Sequence, residues 1–472
     1  MSGLAPGLIY VTDVVLVYYL FIFNGVYLIV SLLAFQTVYR HLLRRIYGGY
    51  DQLSRSPLTP PISIIVPACN EEVGIALTIN NLLHLDYMRY EVIVVNDGSR
   101  DRTLAELKQA FRLYPEEVED AGRLSTRPVR QVYKSSTHHN LTVVDKENGG
   151  KSDALNAGLN VSLHPYFCCV DADVILEPDA LQSVIQPIIE SDRRVIAVGG
   201  IIRVANGCRV EKGRVVEVVM STNPLVVFQI IEYFRAFLCG RTGFSRFNAL
   251  MIISGAFGVF EKDPILAIGG YRPGTVGEDM DLVTRLHHHM RKQGDSDYAI
   301  KFVPDPVCWT EVPATLAVLS RQRRRWQKGC LEVLGQHDEM FLNPRYGALG
   351  MFAYPFILIF EGWGVFIELL GYVVFAWSCW RGNISTDFAL AFFAAAFLCG
   401  MVLSLTGVLL GEMTPRPYPR YRQWFALTIY ACLENFGYRQ LTSVLRILGT
   451  WDYVFNLGSW GHMERQGLAQ KK

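Results

Sequence analysis

Twenty-two consecutive residues, Val14 to Phe35, carry no charge. At about 1.5 Å of rise per residue, a helix of that length covers the roughly 30 Å hydrocarbon core of a bilayer. Within that layer the backbone must satisfy itself, which a helix does. A removable leader has its basic residues before the apolar run and small residues after it. Here Arg40, Arg44 and Arg45 follow the run, and the positive-inside rule then places residue 40 onward in the cytoplasm. Composition agrees with a chain that is part membrane and part soluble, since 472 residues exceed a usual single domain and 50% are hydrophobic. The 45 Lys and Arg nearly balance 44 Asp and Glu, so no general basic field exists and no nucleic-acid partner is expected. The ten cysteines include no Cys-x-x-Cys pair. They read as reduced core residues and not as zinc ligands or a disulfide frame.

From Pro60 to about Gln293 short β-branched runs alternate with amphipathic stretches. The strand-like runs are Ile62 to Val66, Glu91 to Val95, Phe167 to Val170 and Val195 to Val198. This alternation predicts an α/β domain with a mostly parallel sheet, whose functional residues gather beyond the carboxyl ends of strands. From about residue 347 the chain is apolar again. Met351 to Trp380, interrupted by Glu361 and Glu368, and the charge-free Phe388 to Gly411 predict two more spans. The loop Arg381 to Asp387 between them is short, whereas Met413 to Gln423 carries Arg416, Arg420 and Arg422, so the two spans form a hairpin with cytoplasmic ends. Trp424 to Leu448 is apolar yet holds Glu434, Arg439, Gln440 and Arg446, which predicts an interfacial or half-buried helix. The basic ending Arg465, Lys471 and Lys472 fits a cytoplasmic tail. The expected organisation is an N-terminal transmembrane helix and linker (1–59), a cytoplasmic α/β domain with an interfacial helix (60–335), and a C-terminal hairpin, interfacial helix and tail (336–472). Such a chain is a multi-pass protein of the cell (inner) membrane.

Two strand ends carry polar turns: Pro67-Ala68-Cys69-Asn70-Glu71-Glu72 and Val95-Asn96-Asp97-Gly98-Ser99. Together they make a ligand crevice. Asp97 can accept from the N–H of a base, and the turn with Pro67, Asn70 and Glu72 can lie against a flat ring; equally, the second turn can cap a helix. Asp171-Ala172-Asp173 directly follows the run Tyr166 to Val170. Carboxylates one residue apart at a strand end can address a hard divalent cation that neutralises diphosphate oxygens, or form a solvated turn. Gly149-Gly150-Lys151-Ser152 imitates a phosphate-cradling loop, but Asp145 stands where that loop requires its first glycine. Lys151 keeps two readings, a charge for a phosphate or ribose at the opening of a helix over 152–159, and a surface lysine.

Gly277-Glu278-Asp279 precedes the helical pattern Met280 to Arg291. A carboxylate at a helix start stays ionised and can serve as a general base or as a cap. In Gln322-Arg323-Arg324-Arg325-Trp326 the arginines can clamp a diphosphate while the tryptophan stacks on a sugar; the cluster can also anchor to anionic lipid. His287-His288-His289 cannot share one ion, because adjacent helical residues point about 100° apart, and surface histidines are expected.

In this order, Asp97, Asp171-Ala172-Asp173, Gly277-Glu278-Asp279 and Gln322 to Trp326 resemble the processive family 2 glycosyltransferases, which include cellulose, chitin, hyaluronan and poly-N-acetylglucosamine synthases. The resemblance covers roughly Pro61 to Gly329 and the flanking apolar segments. It implies a GT-A fold, Asp97 on the uracil of a UDP-sugar, Asp173 on Mg²⁺ or Mn²⁺, Asp171 on the nucleotide side, and Asp279 as the base. Gln322, Arg325 and Trp326 resemble the motif holding the diphosphate and the acceptor end. Ile253 to Gly258, with Ser254 and Gly255, resembles the acceptor loop under the transferred sugar. The implied activity is inverting, metal-dependent polymerisation of UDP-N-acetylglucosamine or UDP-glucose into a β-linked glycan, with export across the membrane. A single addition to a lipid acceptor, and a silent nucleotide-sugar-binding component of an export complex, are the rival readings.

Two positions depart from the pattern: Asn96 stands where many members have a second Asp, and Gly277 where cellulose synthases have Thr. The chain leaves no room after its apolar region for a C-terminal cyclic-di-GMP-binding barrel, so control through one is not expected. Three spans are few for a channel, so a homo-oligomer, an accessory secretion subunit or the 424–448 helix is expected to complete it among the membrane lipids.

Overall fold

The computed structural model describes residues 4–47, 59–117, 122–382, 386–415 and 418–456. Its strands are β1 (Ile62–Ala68), β2 (Tyr90–Asp97), β3 (Leu113–Glu116), β4 (Val129–Ser135), β5 (Leu141–Lys146), β6 (Tyr166–Val170), β7 (Ile175–Leu176), β8 (Arg194–Val204), β9 (Arg209–Glu211), β10 (Arg214–Glu217), β11 (Phe257–Glu261) and β12 (Tyr298–Thr310). All but β9 and β10, which pair with each other, form one sheet in the order β3-β4-β5-β2-β1-β6-β11-β8-β12-β7. Strands β1, β2, β3, β5, β6, β8 and β12 run one way and β4, β7 and β11 the other. The sheet is therefore mixed and mostly parallel. In its middle Ile64, Ile65, Val92, Ile93, Val94 and Phe167 are fully buried, because a parallel sheet is covered on both faces and its strands are apolar on both.

Parallel direction brings the carboxyl ends of β5, β2, β1 and β6 to one edge. The antiparallel β11 completes that edge: Phe257 pairs with Val170, so the 253–256 loop arrives beside Asp171. Nothing in the hydrophobic alternation announced this reversal.

Helix Leu4–Tyr47 is continuous. Its Val14–Arg45 stretch, Gly364–Arg381 and Thr386–Met413 are the three helices long and apolar enough to cross a membrane among the described residues. Two expectations need correction. Met351 to Trp380 is not one helix: Leu349–Gly362 stops, and Gly364–Arg381 starts anew beyond Trp363. Glycines flank the break, where helix propensity is poor. At the break Glu361 accepts from Tyr27 Oη at 2.6 Å and pairs with Arg446 at 3.0 Å. Likewise, Trp424 to Leu448 is two helices, Tyr421–Leu433 and Tyr438–Val454. They part at Gly437, whose φ of 104° suits a residue without Cβ. The second lies along Leu316–Gln336, where Arg324 donates to both carboxylate oxygens of Asp452 at 2.6 and 2.7 Å. Arg416 and the basic residues Arg465, Lys471 and Lys472 lie outside the described residues.

Two contacts tie the apolar helices to the sheet. Buried Arg203 of β8 donates to Gly411 O at 3.1 Å and Thr414 Oγ1 at 2.6 Å, at the carbonyl end of Thr386–Met413, a favourable place for a cation. Arg45 and His41 of the first helix reach Asp305 of β12 at 2.6 and 2.7 Å. The cysteines are all free, and Cys168, Cys169, Cys239 and Cys308 are buried as expected, but Cys69 and Cys379 are exposed. His287 is also no surface histidine: it is fully buried between Tyr298 Oη at 2.6 Å and Leu250 O at 3.0 Å, and burial pulls its pKa down to about 4.

Candidate active site

Register places Asp97 of β2 opposite Lys146 of β5. The fully buried Lys146 ammonium lies 2.7 Å from Asp97 Oδ1 and 2.5 Å from Asp153 Oδ1. The amides of Gly149 and Gly150 donate to Asp97 at 2.9 and 2.7 Å. Those N–H groups point at Asp97 and not outward, so the Gly-Gly-Lys segment is not a phosphate cradle. Gly98 has φ of 62°, and a Cβ there would stand 2.7 Å from the Asn148 nitrogen, which leaves glycine as the residue that fits. The preceding Asn96 donates to Asp145 at 2.7 Å. An aspartate at 96 would set two like charges together, which accounts for the asparagine. The turns after β1 and β2 are latched: Asn70 Oδ1 accepts from the Arg100 amide at 2.8 Å and the Glu72 carboxylate from the Arg102 amide at 2.9 Å.

Beyond β6 a cavity of about 860 Å³ opens, lined by Lys151, Asp171, Ser254, Gly255, Asp279, Gln322, Arg325 and Trp326. Five expected site residues, Pro67, Asn70, Glu72, Asp97 and Asp173, are not in its wall. They lie at neighbouring strand ends on the same edge. Lys151 links the end of β6 to the start of the helix Glu278–Lys292, with Nζ 2.7 Å from Asp171 Oδ1 and 3.2 Å from Glu278 Oε1. Burial opposes its charge, yet Asp171 and then Glu278 outweigh it and hold the ammonium well above its usual pKa. Asp279 accepts from the Gly255 amide at 3.2 Å and from its neighbour Met280 N at 2.8 Å. Burial, then the adjacent Glu278, push its carboxyl above the ordinary aspartate range, against Lys151, Arg241 and the Gly255 hydrogen bond. A raised carboxylate at a helix start, aimed into a cavity, is suited to take a proton.

The helix Leu316–Gln336 sits on this corner through glycine contact. A Cβ on Gly329 would lie 2.9 Å from Gly277 N, and one on Gly277 would lie 3.0 Å from Gly329 O. That closeness is a physical reason for glycine at 277. Gly329→Ala is expected to push the helix carrying Gln322 and Trp326 away from Asp279 and slow turnover by about tenfold to a hundredfold, because small misplacements of reacting groups are costly. Steady-state kinetics with a melting curve checks this, and unchanged turnover in a folded variant would contradict it.

Within Gln322 to Trp326 the side chains divide their work. Arg323 pairs with Glu232 at 2.8 Å and lies over the Trp326 ring at 4.4 Å, and Arg324 is committed to Asp452. Arg325 and the part-exposed Trp326 line the cavity. Gln322 is buried, and its Oε1 lacks a partner among the described residues. Sequence reasoning assigned no role to Glu278, Lys146 or Gly329. Glu278 was signalled only by adjacency to Asp279, and Lys146 by its strand-end place, which register alone makes meaningful.

The cavity continues away from the sheet to Tyr19 and Tyr27 of the first helix, Glu368 and Tyr372 of Gly364–Arg381, and Leu403 of Thr386–Met413. One space therefore connects Asp279 with all three membrane-length helices. No group of three or more His, Cys, Asp or Glu among the described residues could hold a metal. The pair Asp171 and Asp173 still fits Mg²⁺ or Mn²⁺, since an ion serving a nucleotide takes one or two carboxylates and fills its other positions with phosphate oxygens and water.

Comparison with known proteins matches a family model described as Glycosyl transferase family 2 over residues 63–266, and one described as Glycosyl transferase family group 2 over residues 166–433. The poly-beta-1,6-N-acetyl-D-glucosamine synthase of Staphylococcus aureus (strain COL) is 31% identical over 274 residues, 58% of this chain and 55% of that protein. The synthase of the same name from Staphylococcus epidermidis is 30% identical over the same shares. The chain thus spans about half the length of the curated relatives it matches. A solved mannosyltransferase, PcManGT from Pyrobaculum calidifontis in complex with GDP-Man and Mn2+, is similar with a TM-score of 0.53 and 16% identity, covering 92% of this chain and 99% of that one. At that identity the likeness concerns the fold, which is GT-A.

Proposed function

Because this chain belongs to Glycosyl transferase family group 2, we propose that it polymerises a UDP-sugar, UDP-N-acetylglucosamine or UDP-glucose, into a β-linked polysaccharide and passes the product across a membrane. The observation that carries this reading is the single cavity joining Asp279 to the three membrane-length helices. The names of the curated relatives favour N-acetylglucosamine.

The nucleotide lies over the crevice of Pro67, Asn70, Glu72 and Asp97. Asp173, supported by Asp171, would hold Mg²⁺ or Mn²⁺, which when bound offsets the charge of the diphosphate. Arg325 faces the same oxygens, and Lys151 ties the Asp171 side of the site to Glu278. Trp326 stacks on the acceptor sugar and Ser254 and Gly255 floor it. Asp279 takes the proton from the acceptor hydroxyl as its oxygen bonds to the sugar C1 and the C1–O bond to UDP breaks, so the configuration at C1 inverts. No general acid is required, because a diphosphate is already a good leaving group.

The three helices cross the inner membrane with the catalytic domain in the cytoplasm, where nucleotide sugars are made. Carboxylates and arginines along the cavity between apolar helices, such as Glu368 and Arg446, suit a hydrated glycan, since charged groups at such depth mark a polar path. A second copy or an accessory secretion subunit would complete the channel wall.

Purified protein supplied with labelled UDP-sugars and Mg²⁺ or Mn²⁺ is expected to release UDP and give a polymer on sizing. A one-sugar lipid product would replace polymerisation by single addition, and absence of UDP release with every sugar would overturn the transferase reading.

A further inference from the structure

Arg241 ends the π-helical segment Phe234–Arg241 and lines the cavity that holds Asp279. Its guanidinium is stacked over the Phe237 ring at 4.2 Å, and its Nη1 is buried without a hydrogen-bond partner among the described residues. A buried donor left unsatisfied is costly, and a guanidinium offers five donors in a rigid fork. Burial also lowers its pKa to about 10, with the neighbouring Asp279 carboxylate acting against that shift. Such an arginine is built to be completed by acceptor atoms that arrive in the cavity.

The position says which acceptor atoms. The diphosphate side of the cavity is marked by Asp171 and Lys151, which are paired with each other. Arg241 is paired with neither of them and lies near Asp279, whose carboxylate charge acts on its guanidinium, among aromatic residues: Phe237 stacks on Phe302 of β12, and Phe244 contacts Phe352 and Phe356 of the Leu349–Gly362 segment. The same cavity holds Gln322, whose buried Oε1 also lacks a partner among the described residues. One orphan is a donor and the other an acceptor. Sugar hydroxyls both donate and accept, so a sugar ring can answer both, whereas a diphosphate, which only accepts, answers one.

We propose that Arg241 binds the terminal sugar of the acceptor, donating to its ring-substituent oxygens so that the attacking hydroxyl is held at Asp279. This assignment rests on the transferase reading above. The substrate class it recognises is a neutral glycan end with closely spaced oxygens. Arg241→Lys keeps the charge and loses the fork, and Arg241→Met loses both.

The test supplies UDP-N-acetylglucosamine, Mn²⁺ and a β-linked N-acetylglucosamine tetrasaccharide as soluble acceptor, and measures UDP binding separately by calorimetry without acceptor. In Arg241→Met the KM for the tetrasaccharide is expected to rise by about tenfold or more, the usual consequence of losing a charged hydrogen bond. Arg241→Lys should fall between Met and the parent chain, and both variants should bind UDP as the parent does. A variant that binds UDP normally and shows an unchanged KM for the tetrasaccharide overturns the proposal. So does a loss confined to UDP binding, which would place Arg241 on the donor. If Arg241→Met is unfolded, by failing to bind UDP and by melting early, Arg241→Lys alone decides on the same criterion. A parent chain that releases no UDP with this donor or with any other UDP-sugar supplied in its place overturns the transferase reading and this assignment together, whereas transfer by the parent with a wrong outcome in the variants removes the assignment only.

Discussion

Asp279→Asn is expected to lower sugar transfer by about a thousandfold, within the range a general base contributes, while UDP binding stays within about twofold. The amide has the shape of the carboxylate and keeps one of its two contacts, which Asp279 makes through different oxygens, Oδ2 accepting from Gly255 N at 3.2 Å and Oδ1 from Met280 N at 2.8 Å; a melting curve beside the kinetics checks that the fold survives the change. What is lost is the ability to take a proton. Single-turnover transfer measured beside UDP calorimetry checks the split, and retained turnover would remove Asp279 from the base role. The same residue sets a pH signature. Its carboxyl is raised above the usual 3.8 by burial and by Glu278. The basic form is therefore lost as pH falls through a value above 3.8, and the acid limb of kcat/KM should lie there. Taking away the Glu278 charge removes one of the raising influences, so Glu278→Gln should move that limb to lower pH.

Asp173→Asn is expected to reduce turnover by about a hundredfold or more and to weaken Mn²⁺-dependent UDP binding. A neutral amide cannot replace a carboxylate on a hard cation, and charge neutralisation on the diphosphate is worth several kcal/mol. The measurement is UDP affinity titrated against Mn²⁺. An unchanged metal dependence would move the ion elsewhere. Asp171→Asn should differ in kind, because it also removes the negative charge that faces Lys151 at 2.7 Å and leaves Glu278 as the remaining charged partner of that ammonium.

Local chemistry made the strand-end motifs legible. Asp171-Ala172-Asp173 follows a short buried run, and Gly277-Glu278-Asp279 opens a helix, and both features depend only on neighbouring residues. The charge-free runs were legible for the same reason, since span length is a count along the chain. Where the reading failed, a distant partner decided. The Trp424 to Leu448 segment looked like one helix until Gly437 and the buried Glu434, which pairs with Arg235, divided it. Met351 to Trp380 looked like one span until Tyr27 and Arg446 met Glu361. For Asp97 the strand-end position was legible, and the structure adds that its carboxylate also accepts from Lys146, Gly149 and Gly150, a setting created by the pairing of β2 with β5.

By itself the sequence determined the two kinds of structure in this protein, apolar helices and an α/β domain, and which carboxylates stand at the ends of strands and helices, because hydrophobic period and turn chemistry act over a few residues. Only the tertiary structure decided that Lys151 spans Asp171 and Glu278, that Gly277 and Gly329 touch, and that the cavity beside Asp279 runs on between the membrane-length helices. Those are contacts between segments tens to hundreds of residues apart, and they follow from sheet register and helix packing, which no local stretch of sequence specifies.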